Sequence, residues 1–196
     1  MSQEFRSKAL RALTNQIGVY ALVDLDAVPL YIGQSVDGIR ARVQRHLTSA
    51  RSDIIANRQI DIWEVAEVWA WPIDDAGDIN SVEAALFTHF DTLSPLMNGS
   101  IPTSNDRAAV AEPLQKICVI SDEERKLRTA PSARLPRQIE HYQRLVDYIL
   151  VVKDAPHLRR SADAHYSRLS RYHASFLLKN EEPTGSEDVL EDQSPK

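Results

Sequence analysis

The chain has 196 residues, 43% of them hydrophobic, and a formal net charge of −5 at pH 7. That length suits one ordinary domain or one small domain with an extension, and no apolar run reaches the roughly 20 residues of a membrane span. The single cysteine, Cys118, excludes an intrachain disulfide and a structural zinc site. Because the N-terminus also lacks the apolar core of a signal peptide, we expect a cytoplasmic protein with no membrane partner.

Charge is distributed unevenly along the chain. Residues 61–100 carry eight Asp or Glu and no Lys or Arg, whereas residues 101–180 carry 14 Lys or Arg against nine Asp or Glu. The basic sections can form a local positive surface for nucleic acid, or they can be ordinary solvated faces. Charge alone does not decide between these two interpretations.

The spacing of apolar residues predicts a β-β-α-β-α core. The stretches "GVYALVD" and "PLYIG" read as two strands joined by a short turn. Ile39, Val43 and Leu47 recur at helical spacing after Asp37, which can cap that helix. In chain order the predicted elements are a helical lead-in, two hairpin strands, a helix, a third strand and a second helix, at residues 1–16, 17–24, 28–33, 37–51, 62–71 and 80–93.

Beyond this core the composition shifts to helix formers and arginine. The shift predicts a helical arm at residues 105–179, and residues 180–196 are acidic and predicted to be disordered. The fold class is therefore α+β, in which a small three-stranded antiparallel sheet with flanking helices, residues 17–104, precedes the arm. The predicted arm helices span residues 106–117, 120–129, 136–153 and 157–179.

Two tyrosines of the predicted hairpin, Tyr20 and Tyr31, are candidates for a shared site. Side chains alternate between faces along a strand, so the two project from one face if the turn leaves an even number of residues unpaired. With two unpaired residues they face each other directly, and with four they are diagonal neighbours. The alternative to a functional site is an aromatic pair that only stabilises the hairpin.

Three charged or titratable residues lie on or beside the apolar stripes of the two core helices. Arg42 and His46 are four residues apart at the edge of the first stripe, where they can bind phosphate and move a proton, or can simply cover the core. Glu83 shares its face with Leu86, Phe87 and Phe90, so its carboxylate needs a partner. That partner can be an arginine such as Arg42 in a structural salt bridge, a tyrosine hydroxyl, or a hard divalent cation.

Together these residues resemble the GIY-YIG nuclease family. The matching features are "GVY" at 18–20, "YIG" at 31–33, Arg42 with His46, Glu83 in a helix, and Asn98 in "LMNGS". The resemblance covers residues 17 to about 99, with valine in place of the isoleucine of the first triplet. The segment that contains Glu83 and Asn98 is most similar to stand-alone type II restriction endonucleases of that family.

The resemblance implies a role for each matching residue. Tyr20 would help to activate the attacking water, Tyr31 would sit against the scissile phosphate, and Arg42 would bind that phosphate. His46 would assist proton transfer, Glu83 would be the protein ligand of Mg²⁺ or Mn²⁺, and Asn98 would brace the site. Residues expected to contact double-stranded DNA near the site are Gly33, Gln34 and Arg45.

The helix predicted at 157–179 has an apolar seam and a basic side. Arg160, Arg168 and Arg171 project away from the seam and are predicted to contact the DNA backbone, the alternative being a solvated surface. His165 lies on the seam and is predicted to be packed rather than a metal ligand. The seam also permits a homodimer, and it consists of Leu158, Ala162, His165, Leu169, Tyr172 and Phe176.

The sequence therefore predicts a metal-dependent DNA endonuclease, such as a restriction enzyme encoded by a prokaryote or a phage. Two alternatives stay open at this point. One is a nuclease of DNA repair or of a mobile element, and the other is a nucleic-acid-binding or structural protein that keeps the fold without turnover.

Overall fold

Four strands and six α-helices make up the part of the chain that the computed structural model describes, residues 2–48, 52, 58–103 and 108–179. The strands are β1 Gly18–Val23, β2 Pro29–Ser35, β3 Glu67–Pro72 and β4 Gln115–Cys118. The helices are α1 Ser2–Arg11, α2 Ile39–Thr48, α3 Ile79–Leu93, α4 Asp122–Thr129, α5 Pro131–Val151 and α6 Pro156–Lys179. The predicted disordered tail at 180–196 lies outside the described residues, as does the predicted last turn of the first core helix.

The strands form one antiparallel sheet in the order β2-β1-β3-β4. This confirms the α+β class and corrects the predicted three strands. The prediction of a helix at 106–117 is wrong, because residues 115–118 form β4 and residues 108–114 are not helical. β4 completes the backbone hydrogen bonding of β3, from Glu67 opposite Cys118 to Ala70 opposite Gln115.

Both faces of the sheet are covered by helices. On one face Tyr20, Leu22 and Val68 pack against α1 and α2, which contribute Leu10, Ile39, Val43 and Leu47. On the other face Val19, Ala21 and Ile32 pack against α3, which contributes Ile79, Leu86 and Phe87. β1 is buried along its whole length, so its alternating side chains enter both apolar clusters. The sheet is thus the middle layer of three.

Residues outside α2 hold its N-terminus. Gln16 and Thr14 accept the first backbone N–H bonds through their carbonyl oxygens, and the Asn15 side chain accepts from the backbone N–H of Ala41. Asp37, the predicted cap, lies one residue too early, because the helix begins at Ile39 and Gly38 occupies the cap position. Gly38 makes this docking feasible, since its φ is +111° and an added Cβ would lie 2.6 Å from the Asn15 carbonyl oxygen.

The helical arm is attached to the core by ion pairs. Arginines of α4, α5 and α6 reach carboxylates of the hairpin turn and of the acidic segment, so the uneven charge of the sequence is largely matched within one molecule. The pairs are Arg125 with Glu67 at 2.7 Å, Arg134 with Glu64 at 2.9 Å, Arg137 with Asp61 at 2.7 Å, Arg160 with Asp91 at 2.5 Å and Arg168 with Asp24 at 2.6 Å.

The predicted polarity of the last helix is partly wrong. Leu158, Ser161, Ala164, His165 and Arg168 are its buried residues, so the buried face is rotated toward Arg168 relative to the predicted apolar seam. Arg168 is buried because the Asp24 carboxylate and the carbonyl oxygen of Pro29 accept hydrogen bonds from its two terminal nitrogens. Its Nε is buried without a partner among the described residues. His165 is packed as predicted and lies 3.0 Å through Nε2 from the carbonyl oxygen of Gln59. Within the described residues, no helix has the length and apolar character needed to cross a membrane.

Candidate active site

The hairpin places the two tyrosines on one face of the sheet. Tyr20 lies opposite Gly33 and Leu22 lies opposite Tyr31, so the tyrosines are diagonal neighbours. Their ring centroids are 6.2 Å apart. This is one of the two arrangements that the sequence allowed, and the turn selects it. The Asp24 carboxylate accepts the backbone N–H groups of Asp26 and Val28, and the register shifts after Leu22.

Gly33 is the residue that lets the two phenols approach. An added Cβ would lie 2.6 Å from Cε1 of Tyr31 and 2.7 Å from the hydroxyl oxygen of Tyr20. Atoms at such distances overlap, so a side chain at this position would displace both rings. The glycine in "YIG" is therefore required by packing within the site, beyond the predicted close approach of DNA.

Replacement of Gly33 by alanine is expected to lower the free energy of unfolding by about 1–3 kcal/mol, because the new methyl group overpacks a filled space. Urea denaturation monitored by tyrosine and tryptophan fluorescence measures this change. Gly77→Ala is the matched control, since Gly77 is exposed and is expected to change stability by less than about 0.5 kcal/mol. Equal stability of the two variants would contradict the packing of Gly33 between the phenols.

His46 joins the tyrosines in a buried hydrogen-bonded chain. Its Nε2 lies 2.8 Å from the Tyr20 hydroxyl, and its Nδ1 lies 2.6 Å from Oγ of Ser52. The His46 ring is 6.0 Å from the rings of both Tyr20 and Tyr31. Sequence spacing had placed His46 at the edge of the core, whereas it is buried inside it.

Ser52 is a site residue that the sequence analysis missed. It is buried, and its hydroxyl fixes the orientation of the His46 ring by binding the nitrogen that faces away from Tyr20. Ser52 lies beyond the end of α2, so neither helical spacing nor strand alternation marks it. Its role becomes visible only in the fold, which brings the Ser52 hydroxyl within hydrogen-bonding distance of His46, six residues earlier in the sequence.

The environment of Tyr20 keeps its hydroxyl protonated. Burial raises the pKa of Tyr20 well above its usual range, and the neighbouring Tyr31 raises it further. Arg42 lowers the pKa and the negative charge of Glu83 raises it, but both effects are smaller than that of burial. The charges of Arg42 and Glu83 therefore act on the Tyr20 hydroxyl, although the two residues come from helices on opposite faces of the sheet.

Arg42 supplies a cation beside the tyrosines. It is half-buried on α2, and its Nε is buried without a hydrogen-bond partner among the described residues. A buried donor with no partner is costly in a native protein and usually indicates a missing ligand or water. Such a donor suits an anionic ligand.

Glu83 lies on α3, which packs beside the edge strand β2. One turn before it, Asn80 accepts a hydrogen bond of 3.0 Å from Nε2 of Gln34 on β2. Glu83 is half-buried, and burial raises the pKa of its carboxyl group to about 7. No side chain among the described residues pairs with this carboxylate, so the alternative of a structural salt bridge with Arg42 is not observed.

Asn98 holds the outer edge of β2. Its Nδ2 donates to the carbonyl oxygen of Ile32 at 2.5 Å, and its Oδ1 accepts from the backbone N–H of Ile32 at 3.1 Å. The side chain thus pairs with the backbone as a neighbouring strand would, between the positions of Tyr31 and Gly33. This contact agrees with the predicted bracing role.

Comparisons of this chain with protein-family models, with curated proteins and with solved structures found no match. Any inference about function therefore depends on the geometry of the site and on the motif residues that it contains.

All three arginines of the arm that were predicted to bind DNA contact other residues of the protein. Arg168 is a correction, because a guanidinium buried against Asp24 cannot reach a DNA backbone. Arg160 is half-buried against Asp91 and the ring of Phe87. Arg171 is exposed and donates to the Ser94 hydroxyl at 3.0 Å, and Arg45 is exposed on α2. Only the last two present their charge to solvent.

The candidate metal ligand set is small. The described residues contain no group of three or more His, Cys, Asp or Glu side chains that could hold a metal ion. A cation here would have Glu83 as its protein ligand, with water and substrate oxygens completing the coordination. Mg²⁺ commonly binds in this way. The half-buried Glu83 carboxylate, which has a raised pKa and no ion-pair partner among the described residues, fits such a cation, because a positive charge would offset the cost of its burial.

Proposed function

We propose that this protein is a metal-dependent DNA endonuclease of the GIY-YIG type that hydrolyses phosphodiester bonds. The observation that carries the proposal is the buried chain from Tyr20 through His46 to Ser52, with Tyr31 packed beside it around Gly33. An aromatic pair that only stabilised a hairpin would not need a buried histidine on one hydroxyl. It would also not need an arginine and a carboxylate that both act on that hydroxyl.

Hydrolysis of a phosphodiester requires a cation against the charge that develops on the phosphate oxygens. Arg42 is suited to this role, since Nε of its guanidinium is a buried donor with no partner among the described residues. A guanidinium can bind two phosphate oxygens at once and stays charged at any working pH. When bound, a divalent cation on Glu83 would add Lewis-acid stabilisation of the same charge.

The raised pKa of Tyr20 limits which groups can deprotonate the attacking water. A phenol this strongly buried is rarely a phenolate at neutral pH, so it cannot act as a base by itself. With the His46 proton on Nδ1 toward Ser52, Nε2 can accept the hydroxyl proton of Tyr20. Tyr20 can then take a proton from water while His46 stores the one that it released. His46 is thus the base, and Tyr20 relays the proton.

The pH dependence of metal activation follows from Glu83. Its pKa of about 7 means that the carboxyl group must lose a proton before it binds a cation. We therefore expect the Mg²⁺ concentration for half-maximal cleavage to rise about tenfold for each pH unit below 7, because proton and metal compete for one group. Mg²⁺ titrations of plasmid cleavage at pH 6 and pH 8 measure this shift. Identical half-maximal concentrations at the two pH values would contradict it.

Plasmid nicking is the direct test of the proposed function. Supercoiled DNA is incubated with the full-length protein and Mg²⁺ or Mn²⁺, and a parallel reaction contains EDTA. Metal-dependent conversion to nicked or linear DNA supports the proposal. If no metal-dependent cutting occurs on supercoiled, linear and methylated substrates, the proposal is refuted in favour of a protein that binds nucleic acid without turnover.

Sequencing of the cut ends distinguishes restriction from other nuclease roles. Genomic DNA is digested with the protein, and the fragment ends are sequenced. Ends that share a short palindrome support a restriction enzyme, and two-fold symmetry of such a site would favour the predicted homodimer. Ends without a common sequence support a non-specific nuclease.

A further inference from the structure

A basic cleft lies between α1, the segment before β3, α4 and α5. Its volume is about 570 Å³, and Ile60 and Trp63 form part of its wall. Ile60 belongs to the same apolar cluster as Tyr20 and Val43, so the cleft lies on the side of the sheet that carries the tyrosines. Among the described residues, the arginines that line the cleft are Arg6, Arg58, Arg128, Arg137 and Arg144.

The cleft has more positive charge than its carboxylates offset. Asp61 pairs with Arg137, Glu124 with Arg128 and Glu140 with Arg144. Neither Arg6 nor Arg58 has a salt-bridge partner among the described residues. Within the described part of the cleft two guanidinium charges are therefore in excess, in contrast to α6, where Arg160 and Arg168 are held by carboxylates of the core.

Contacts with Trp63 hold two of these guanidinium groups in place, those of Arg128 and Arg137. The ring of Trp63 lies 5.3 Å from the guanidinium carbon of Arg128 and 5.9 Å from that of Arg137. Nε of Arg6 is buried and has no hydrogen-bond partner among the described residues. Arg58 has a backbone φ of +56°, which is uncommon for a residue with a side chain and often occurs at binding sites.

The shape of the cleft favours an extended anion over a single phosphate ion. Arg137, His141 and Arg144 follow one another at positions i, i+4 and i+7 along α5, so they form a row roughly 10 Å long on one helix face. Burial lowers the pKa of His141, which leaves the arginines as the charges of the row. A chain of phosphates can contact several guanidiniums of such a row at once, whereas an isolated phosphate reaches one or two.

We propose that this cleft binds the phosphodiester backbone of double-stranded DNA and holds the substrate for the tyrosine site. The proposal rests on the proposed function for the identity of the anion. It assigns the main electrostatic contact to two exposed arginines rather than to Arg160 and Arg168 of α6, whose carboxylate partners are part-buried or buried. Arg58 has no salt-bridge partner among the described residues, and the pair of Arg144 with Glu140 is exposed, so a phosphate can replace this weak surface contact. Such contacts are independent of base sequence and position the duplex.

The test is a binding measurement in EDTA, so that cleavage does not interfere. Fluorescence anisotropy of a labelled duplex is recorded for the full-length parent and for Arg58→Glu/Arg144→Glu over a range of salt concentrations. We expect the double variant to bind at least about tenfold more weakly, with a slope of log affinity against log salt reduced by about two. The matched control is Lys153→Glu/Arg159→Glu, which makes the same charge change at exposed positions beside the α5–α6 connection.

Each outcome decides the proposal. Loss of affinity in the cleft variant alone supports it, and the same loss in both variants, or in neither, overturns it. If inorganic phosphate raises the melting temperature of the parent but not of the cleft variant, while duplex binding is unchanged, the cleft is a small-anion site and the proposal is overturned. Circular dichroism checks the fold, and Arg58→Gln/Arg144→Gln replaces the charge reversal if that variant does not fold.

The same measurements separate this inference from the proposed function. A protein that binds DNA through the cleft but never cuts it contradicts only the endonuclease proposal. A protein that cuts DNA while the cleft variant binds as the parent does contradicts only the cleft assignment.

Discussion

Replacement of Glu83 by glutamine is expected to slow metal-dependent cleavage strongly while making the metal-free protein more stable at alkaline pH. Glutamine has nearly the same shape but no charge, so it loses the cation and the stabilisation that the cation provides. Removal of one such electrostatic group typically lowers turnover by about 10²–10³-fold or more. Plasmid cleavage rates with saturating Mg²⁺ measure the loss.

The stability part of this prediction follows from the sign of the pKa shift. In the folded protein the carboxyl group titrates at about 7, whereas its ordinary value is 4.5. The unfolded chain therefore releases this proton first, and the parent loses stability as pH rises from 4.5 through 7. Glutamine does not titrate, so the variant should melt at a higher temperature than the parent at pH 8, and the difference should shrink toward pH 5.

Asp78→Asn is the matched control for Glu83→Gln. Asp78 is an exposed carboxylate at the start of the same helix, and its side chain makes no capping hydrogen bond. This variant is expected to keep both the cleavage rate and the pH profile of the parent. If Glu83→Gln cuts DNA as fast as Asp78→Asn does, Glu83 is not the metal ligand. If the two variants have the same melting temperature at pH 8, burial does not raise the pKa of the Glu83 carboxyl group.

Replacement of Arg168 by leucine is expected to lower the free energy of unfolding by about 3–5 kcal/mol, because it leaves a buried carboxylate without its cation. Arg168 and Asp24 are each 1% exposed, and they are joined at 2.6 Å. Arg168 also donates to the carbonyl oxygen of Pro29 at 2.6 Å. Burial already raises the pKa of Asp24, and Arg168 counteracts that rise. Urea denaturation at pH 7 measures the cost.

A double-mutant cycle separates the ion pair from the packing around it. Asp24→Asn keeps an oxygen for the backbone N–H groups of Asp26 and Val28 but removes the charge. Asp24→Asn/Arg168→Leu should therefore recover part of the stability lost in Arg168→Leu, which reveals the coupling between the two sites. Arg159→Leu on the exposed side of α6 should change stability by less than about 0.5 kcal/mol. If Arg168→Leu costs no more than this control, α6 is not docked on the hairpin turn.

Local spacing was sufficient to predict the elements around the candidate site. The hairpin, α2 and α3 each have a clear apolar period, and these elements bring Tyr20, Tyr31, Arg42, His46 and Glu83 into one region. The pairing register could not be predicted, because the Asp24 side chain and an irregularity after Leu22 set the length of the turn. Neither feature can be recognised from the spacing of apolar residues in the sequence.

The remaining errors arise from contacts between distant parts of the chain. β4 is only four residues long and has polar side chains, so its sequence does not indicate a strand. It becomes one because its backbone pairs with the edge of β3. Arg168 reads as a surface residue until Asp24, 144 residues earlier, is placed beside it. Helical spacing tells which residues share a face, but an arginine can lie on the buried face when a distant carboxylate neutralises it.

The pairing of Arg168 with Asp24 also limits how this protein can be engineered or can diversify. The guanidinium comes from the last helix and the carboxylate from the loop between the two tyrosine-bearing strands. Residues 17–104 are therefore not expected to fold independently of the C-terminal half. Removing that half would leave the buried carboxylate of Asp24 without its cation and would weaken the loop that sets the spacing of Tyr20 and Tyr31. A chimaera that exchanges the C-terminal half must supply a replacement cation or neutralise Asp24 at the same time.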